Sequence, residues 1–313
     1  MFFNSLKNQI SIPEFLKNHN KLCIYRSVGG LGDILAMRMI FQDIKILYPE
    51  LEVTWAVPFR YFPAAAKHPY VDKLIHLDQF KRENFGNFFD ITTCCGRYES
   101  LYKRNKLKNR SDIWAEHFGL ILQNHNMFTP SYKEKFDHVK TRLREIGWDG
   151  KKKLLPFVPR SAISLKNMTY QQCKTVKEMT EDFFLFGLHT GPIIELLELK
   201  IPGIYNFTLE EALACIESAD ALICTDTGFM HAAGGYGIPT LATFSFVDGA
   251  TYCKYYPSIQ VVQMHADQID NWCGPCYDYP QCPYNSQESV KPCQYEISPK
   301  MLQENWQKLL NRL

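Results

Sequence analysis

Two glycine-containing stretches carry residues that could bind an anion and move a proton. The first, SVGGLGDILA, contains Gly29, Gly30 and Gly32 and places Asp33 where a helix would begin. Glycines let the backbone approach a ligand, and the first turn of a helix offers unpaired N–H groups at a positive dipole end. Asp33 could cap that helix or act as a general base, and the spacing alone favours the cap.

The second stretch, CTDTGFMHAA, joins an acid, a hydroxyl, a glycine and a histidine in six residues: Asp226, Thr227, Gly228 and His231. The N–H groups of Thr227 and Gly228, with the Thr227 hydroxyl, are donors suited to an anion such as a diphosphate. A single histidine is usually structural. Here the neighbouring acid, hydroxyl and glycine turn favour a ligand-binding role for His231.

A third candidate site is a cluster of four cysteines with the spacing Cys-x2-Cys-x5-Cys-x10-Cys. Its members are Cys273, Cys276, Cys282 and Cys293. Four thiolates can close a tetrahedral site, for which zinc is the chemical default and iron the alternative. A site closed in this way would be structural. Two disulfides or free thiols are the other interpretations, and the spacing favours the metal.

The order of the predicted strands and helices determines where the two glycine stretches lie. Apolar segments that read as strands alternate with helical segments, which indicates an α/β fold with parallel sheets. Each glycine stretch directly follows a predicted strand. Open parallel sheets bind ligands at the carboxyl ends of their strands, so both stretches are expected to line binding sites.

The 313 residues are enough for two domains, and the pattern of elements weakens near residue 130. We therefore expect one domain at 1–130 and a second at 131–297. Thr208, with Glu211 three residues later, has the spacing of a capping box and predicts a helix start. The amphipathic helix at 298–313 is expected to fold back on the first domain.

Composition argues against several classes of protein. The chain is 46% hydrophobic and has a formal net charge of +2, so it is neither disordered nor strongly attracted to polyanions. It has no recognisable signal peptide and no apolar run of membrane-spanning length. Its eleven cysteines are an odd number, which suits a reducing compartment. We expect a cytoplasmic protein, with peripheral attachment to the inner face of the membrane left open.

The two glycine stretches resemble those of a known family. GGLGDILAMRMIFQDIK and ADALICTDTGFMHAAGGYGIPTLATF are similar, in order and separation, to blocks of the heptosyltransferases of glycosyltransferase family nine. The resemblance implies a GT-B fold, in which two Rossmann-like parallel-sheet domains face a central cleft. It also implies inverting transfer of a sugar, usually heptose from an ADP derivative.

The resemblance also assigns roles to individual residues. It makes Asp33 the catalytic base in an acceptor domain whose loop contains Gly29, Gly30 and Gly32. The residues implied for the nucleotide-sugar donor are Asp226, Thr227, Gly228 and His231. PRSAISLKNMTYQQC is similar to the family's phosphate-binding loop, which puts Ser161 and Lys166 near the diphosphate.

This loop departs from the family pattern. Ala162 and Met168 stand where the family has a hydroxyl and a tryptophan, and the ribose-binding acid is unclear, with His189 and Glu195 as candidates. The reaction class is therefore better supported than the donor.

The resemblance also extends to the cysteines. A similar cysteine cluster occurs in bacterial relatives that modify autotransporters, where the metal is iron.

The residues agree with sugar transfer that needs no catalytic metal. Many sugar transferases hold a divalent metal with an Asp-x-Asp pair, and this sequence contains none. The charge that builds on the leaving diphosphate could instead be neutralised by a helix N-terminus and Lys166. A solvated surface lysine is the alternative interpretation of Lys166.

The remaining features leave other functions open. Basic residues are concentrated at 97–110, which a solvated loop would explain, although the stretch could also meet an anionic acceptor such as a phosphorylated glycolipid or DNA. A nucleotide-sugar epimerase would share the fold. A sugar- or nucleic-acid-binding protein without activity, organised around the cysteines, would not need Asp33.

The cysteine spacing generates a first prediction. Protein purified without added metal should contain about one equivalent of zinc or iron, because four thiolates form a complete site. Cys276→Ser should lose the ion and lower the melting temperature, since binding to a structural site contributes to folding. Elemental analysis and thermal melts measure both. Disulfides among the four cysteines in protein freshly prepared from the cytoplasm would contradict the prediction.

Overall fold

The computed structural model describes residues 20–85, 88–102, 107–245, 247–264 and 292–312. The chain divides into two compact units. The first contains residues up to Tyr98 together with Lys108–Pro130, and the second contains Glu99–Leu107 and the residues from Ser131 onward. No helix within the described ranges is both long and apolar enough to cross a bilayer.

The first unit is built on four parallel strands. They are β1 (Lys21–Tyr25), β2 (Glu52–Val57), β3 (Lys73–His76) and β4 (Phe88–Asp90). Their order in the sheet is β3-β2-β1-β4. The helices of this part of the chain are α1 (Leu31–Met37), α2 (Ile40–Leu47), α3 (Phe62–Ala65), α4 (Cys94–Tyr102) and α5 (Arg110–His117). Strands β1 and β2 are buried almost throughout, which explains their nearly continuous apolar sequences.

The second unit contains six parallel strands. They are β5 (Lys153–Val158), β6 (Phe183–Leu188), β7 (Gly203–Ile204), β8 (Leu222–Thr225), β9 (Thr240–Phe244) and β10 (Ile259–Gln263). Their order is β10-β9-β8-β5-β6-β7. Its helices are α6 (Phe136–Glu145), α7 (Tyr170–Met179), α8 (Ile194–Glu198), α9 (Leu209–Glu217), α10 (Gly228–Tyr236), α11 (Gly249–Tyr252), α12 (Pro292–Tyr295) and α13 (Pro299–Leu310).

Local signals in the sequence mark several helix starts correctly. The side chain of Thr208 accepts from the N–H of Glu211, and the Glu211 carboxylate accepts from the N–H of Thr208. These two bonds form the predicted capping box before α9. Ser298 caps α13 by accepting from the N–H of Met301. Polar side chains at these positions satisfy N–H groups that a helix start leaves unpaired.

The C-terminal helix does not pack where we expected it. Leu302, Trp306 and Leu309 lie on one face of α13 and belong to the buried core of the second unit. The ring of Trp306 lies 5.5 Å, centroid to centroid, from that of Phe183 at the start of β6. The expectation that this helix joins the first domain is therefore wrong. Its apolar face predicted burial, but periodicity carries no information about which core receives the helix.

Tertiary contacts also divide one predicted helix. The apolar residues at 34–49 have the spacing of one continuous helix, whereas α1 ends at Met37 and α2 begins at Ile40. Between them the fully buried Arg38 donates from Nε to the carbonyl of Met127 at 2.8 Å and from Nη1 to that of Ala64 at 2.9 Å. Hydrogen bonds to residues distant in sequence position Arg38, and a local pattern cannot indicate them.

Candidate functional site

In both sheets the candidate residues lie where the direction of strand addition reverses. The first sheet grows from β1 through β2 to β3, and β4 then pairs with the other side of β1. The second grows from β5 through β6 to β7, and β8 then pairs with the other side of β5. The loops after the two strands at such a point diverge and leave a crevice, which is the usual ligand site of an open parallel sheet.

In the first unit this position holds a cluster of charges centred on Asp33. Its Oδ2 accepts from the N–H of Gly30 at 2.9 Å and lies 3.2 Å from Nη2 of Arg26. Its Oδ1 accepts from Nη1 of Arg110 at 2.6 Å. The side chains of Asp33 and Arg26 are only 10% and 6% exposed. Asp33 is therefore a helix cap, and it is also a buried carboxylate paired with two cations.

The charges around Asp33 determine its protonation state. Burial by itself would raise the pKa of the carboxyl group. The positive charges of Arg110 and Arg26, with the hydrogen bond from Gly30, outweigh burial and hold the pKa of Asp33 well below its ordinary range. The group is an anion at neutral pH, as a proton acceptor must be.

Gly29 is needed for this cluster to form. Its φ is +129°, in a region that side chains rarely adopt. A Cβ atom here would lie 2.6 Å from Nε of Arg26 and 2.7 Å from Oδ2 of Asp33. Gly30 differs, because a Cβ atom there would meet nothing within 4 Å. The first glycine therefore makes room for an ion pair inside the protein, which the sequence did not indicate.

In the second unit the loop after β5 is closed by its own hydrogen bonds. The N–H of Met168 donates to the carbonyl of Pro159 at 2.9 Å, and that of Ser161 donates to Oδ1 of Asn167 at 2.8 Å. The Ser161 hydroxyl is bonded within the loop, to the carbonyl and the N–H of Ile163 at 2.9 and 3.1 Å. Ser161 shapes the loop that holds Lys166.

Side chains from β8 and β9 attach this loop to the sheet. The Thr225 hydroxyl, at the end of β8, donates to the carbonyl of Lys166. The Ser245 hydroxyl, just beyond β9, donates to the carbonyl of Leu165 at 2.7 Å. The backbone at Lys166 is therefore held at the carboxyl edge of the sheet. Neither Thr225 nor Ser245 was among the predicted site residues.

Lys166 and Asp226 meet across the point where β5 and β8 diverge. Nζ of Lys166 lies 2.7 Å from Oδ2 of Asp226, and the two side chains are 15% and 6% exposed. Lys166 is thus no solvated surface lysine. The next residue, Thr227, is the N-cap of α10, and its buried hydroxyl has no hydrogen-bond partner among the residues the structure describes. Lys166, a cation, therefore contacts the residue that directly precedes the helix N-cap and its unused hydroxyl.

His231, on the first turns of α10, is buried and contacts Tyr256. Its Nδ1 lies 2.9 Å from the Tyr256 hydroxyl. Burial raises the pKa of that hydroxyl, and the Cys253 thiol adds to the effect, so Tyr256 stays neutral. A neutral hydroxyl can donate to Nδ1, which leaves the ring proton on Nε2. Gly234 allows this contact, because a Cβ atom there would lie 2.5 Å from the Tyr256 ring.

The two candidates for a ribose-binding group differ in their surroundings. Glu195, in the first turn of α8, forms an ion pair with Arg160, which follows β5. That hydrogen bond lowers the pKa of Glu195 against the opposing effect of burial. Oε2 of Glu195 is buried and has no hydrogen-bond partner within the described ranges. The ring of His189 contacts its own loop, with Nδ1 lying 3.2 Å from the carbonyl of Gly191.

Most of the predicted metal site lies outside the described residues. Cys273, Cys276 and Cys282 belong to that part of the chain, and Cys293 lies in α12. Among the described residues no three His, Cys, Asp or Glu side chains form a group able to hold a metal ion. The basic stretch at 97–110 likewise lies only partly within the described residues.

A comparison with protein families identifies the second unit. Residues 205–285 match the model of glycosyltransferase family 9 (heptosyltransferase). The match includes Asp226, Thr227, Gly228 and His231, so the predicted resemblance is confirmed, and with it the expectation of a glycosyltransferase enzyme. No curated protein matches the sequence.

Solved structures of this family share the fold. A family 9 glycosyltransferase from Veillonella parvula is 15% identical, with 78% of this chain and 86% of that chain covered and a TM-score of 0.63. E. coli ADP-heptose LPS heptosyltransferase II is 11% identical, with 93% of this chain and 99% of that chain covered and a TM-score of 0.59. TibC, an iron-containing dodecameric glycosyltransferase of E. coli, is 11% identical, with 93% of this chain and 76% of that chain covered and a TM-score of 0.71. The predicted α/β fold of the GT-B class is confirmed.

The surroundings of Gly29 generate a second prediction. Gly29→Ala should lower the free energy of unfolding of the first unit by about 1–3 kcal/mol, because it strains the backbone and intrudes on the Arg26–Asp33 pair. Gly30→Ala is the matched control, with an expected loss of less than about 1 kcal/mol, since its Cβ atom has space. Urea unfolding followed by circular dichroism compares the two. Equal losses would contradict the assigned role of Gly29.

Proposed function

We propose that this protein transfers a sugar, heptose in the first instance, from a nucleoside diphosphate to an acceptor hydroxyl, with inversion at the anomeric carbon. The Lys166–Asp226 pair beside the N-terminus of α10 is the observation that carries the proposal. It combines cationic and N–H donors at the strand reversal of a unit that matches the family 9 model. ADP is the proposed nucleotide, since TibC has been solved in complex with ADP-D-β-D-heptose.

The donor diphosphate is proposed to bind between Lys166 and the first turn of α10. Lys166 would supply the positive charge and Thr227 the unused hydroxyl. The backbone N–H groups of Thr227 and Gly228 would add donors at the positive end of the helix. Asp226 would orient Lys166, because a carboxylate cannot itself attract a diphosphate. These groups would neutralise the leaving group without a catalytic metal.

The rest of the nucleotide is proposed to extend toward Arg160 and Glu195. Glu195 suits a ribose, because its ionised carboxylate retains one buried oxygen without a partner in the described ranges. Arg160 would hold that carboxylate in place through their ion pair. His231 is proposed to face the donor with Nε2, with its ring orientation supported by Tyr256. Ser161 would act indirectly, by shaping the Lys166 loop.

Asp33 is the proposed catalytic base, and the loop at Gly29, Gly30 and Gly32 the proposed acceptor site. An acceptor hydroxyl becomes a good nucleophile only as a base removes its proton. Asp33 is ionised and fixed by three contacts, so it presents a defined oxygen to the acceptor. The basic residues at 97–110 favour an acceptor with negative charge, such as a glycolipid phosphate reached from the cytoplasmic face of a membrane.

The four-cysteine segment supports a separate proposal, a structural zinc or iron. The Cys-x2-Cys spacing at Cys273 and Cys276 suits one tetrahedral ion. TibC, which shares the fold, is an iron-containing protein. A metal held by four thiolates would have no open coordination position, so we assign it no part in the transfer step.

The donor site generates a third prediction, measured as ADP affinity by calorimetry. Lys166→Ala should weaken ADP binding roughly tenfold to a hundredfold, the range for losing a hydrogen bond to a charged group. Thr227→Ala should weaken it by a smaller factor. Lys174→Ala is the matched control, because Lys174 lies in the same unit, is half exposed and pairs with Glu178.

A double variant separates loss of the cation from exposure of an unpaired carboxylate. In Lys166→Ala the buried Asp226 loses its partner and would repel the diphosphate. Adding Asp226→Asn removes that repulsion, so a true Lys166 contact predicts that binding stays weak in the double variant. Full recovery of ADP affinity would place the diphosphate elsewhere.

The fourth prediction concerns Asp33 itself. Asp33→Asn should reduce the transfer rate about a hundredfold or more, the usual range for losing a general base. Donor affinity should not change, because the donor is assigned to the other unit. Transfer from ADP-heptose, assayed without added divalent ions, gives the rate, and thermal melts report folding. A folded Asp33→Asn protein with the normal rate would exclude Asp33 as the base.

A further inference from the structure

The acceptor positions on the Asp33 carboxylate are almost fully occupied. An ionised carboxylate offers about four lone-pair positions on two oxygens. Oδ2 accepts a hydrogen bond from the N–H of Gly30, and Nη2 of Arg26 lies 3.2 Å from the same oxygen as its ion-pair partner. Oδ1 uses one position, for Nη1 of Arg110. Counting the described residues, a single acceptor position is left, and it belongs to Oδ1.

The two arginines that contact Asp33 differ in how firmly they are held. Arg26 is almost completely buried, donates from Nη1 to the carbonyl of Ile91 at 3.4 Å, and lies 5.3 Å from the centre of the Trp114 ring. Arg110 is the first residue of α5, and its side chain is 26% exposed. Arg26 thus forms the inner wall of the cluster, and Arg110 contacts the oxygen that has a free position.

We propose that Arg110 is a positioning residue that orients Asp33 so that Oδ1 takes the proton of the acceptor hydroxyl. The inference rests on the proposed function, in which Asp33 is the base. In the transfer step the acceptor O–H bond breaks and its proton goes to Oδ1. The acceptor oxygen bonds to the anomeric carbon, while the bond from that carbon to the diphosphate breaks and leaves its electron pair on the diphosphate.

The direction of the pH effect follows from the charges that face Asp33. Helices α3 and α5 pack on α1, and α3 contains no titratable side chain. Arg110 on α5 and Arg26 after β1 are the cations that act on Asp33, and Arg26 also helps to lower the pKa of Cys94 at the start of α4. Removing the charge of Arg110 leaves burial opposed by fewer groups, so the pKa of Asp33 must rise.

The test is the pH dependence of Arg110→Gln, which keeps a polar side chain of similar length. Two measurements are made. Carbon-13 NMR follows the Asp33 carboxyl signal, assigned by its absence in Asp33→Asn, and kinetics give the acid limb of kcat/KM. Both midpoints should move to higher pH by about one unit or more, because a nearby opposite charge lowers a carboxyl pKa by about that much.

Two further variants separate charge from geometry. Arg110→Lys restores the charge but not the planar fork of the guanidinium group. The midpoint of the Asp33 titration should therefore return most of the way to its value in the unmodified protein, while kcat stays about tenfold below it. The KM for the donor should not change in either variant. Lys108→Gln is the control for the titration, since it removes a nearby positive charge that pairs with Glu116 rather than with Asp33.

The outcomes distinguish this inference from the proposed function. If Asp33→Asn abolishes transfer but Arg110→Gln moves neither midpoint, Asp33 remains the base and the role of Arg110 is rejected. If Asp33→Asn transfers sugar at the normal rate, both are rejected. Should Arg110→Gln fail to fold, Arg110→Lys decides the matter, because full kcat in that variant shows that the fork geometry is not used.

Discussion

A charge removed from water needs a partner, and in both units this requirement acts at the point where strand addition reverses. Asp33 would be strongly destabilised in its buried position without Arg26 and Arg110. Asp226, nearly as buried, has Lys166. Lys166 and Asp226 join loops that follow neighbouring strands but are far apart in the chain, and Arg110 reaches Asp33 from a helix 77 positions away. The charges therefore both require the fold and mark its two candidate binding positions.

The surrounding backbone is arranged to accommodate these side chains. Gly29 adopts a positive φ and leaves space for the Arg26–Asp33 pair. Gly234 leaves space for the ring of Tyr256, whose hydroxyl contacts His231. Hydroxyls at the ends of β8 and β9 hold the Lys166 loop by its carbonyls. Small residues and hydroxyls thus set the positions of the few groups that could bind a donor or accept a proton.

The two units offer opposite charges for opposite tasks in the proposed reaction. The first presents a carboxylate whose anionic state is maintained by cations, as removal of a proton requires. The second presents a lysine and the positive end of α10, as a departing diphosphate requires. Both sites combine a charged side chain with a helix start after a strand. In the proposed reaction, the same strand–loop–helix arrangement would serve acid–base chemistry in one unit and anion binding in the other.

Local patterns in the sequence were enough to predict the α/β class, the starts of α9 and α13, and the two strand–loop–helix stretches around Asp33 and Asp226. These depend on local periodicity, on capping and on glycine turns, all of which operate over a few residues. The sequence also drew attention to Lys166, although only through a resemblance. Contacts between elements that are distant in the chain are not encoded in any local pattern.

The remaining features of the two sites depend on long-range contacts. Arg110 reaches Asp33 across 77 positions, and Tyr256 reaches His231 across 25, so neither partnership has a spacing that could be recognised. The core that receives α13 was likewise decided by packing, since an apolar face specifies burial but not a partner. Residue types and spacing indicated the candidate chemical groups, and the long-range ion pairs and hydrogen bonds of the folded chain determined their charge and orientation.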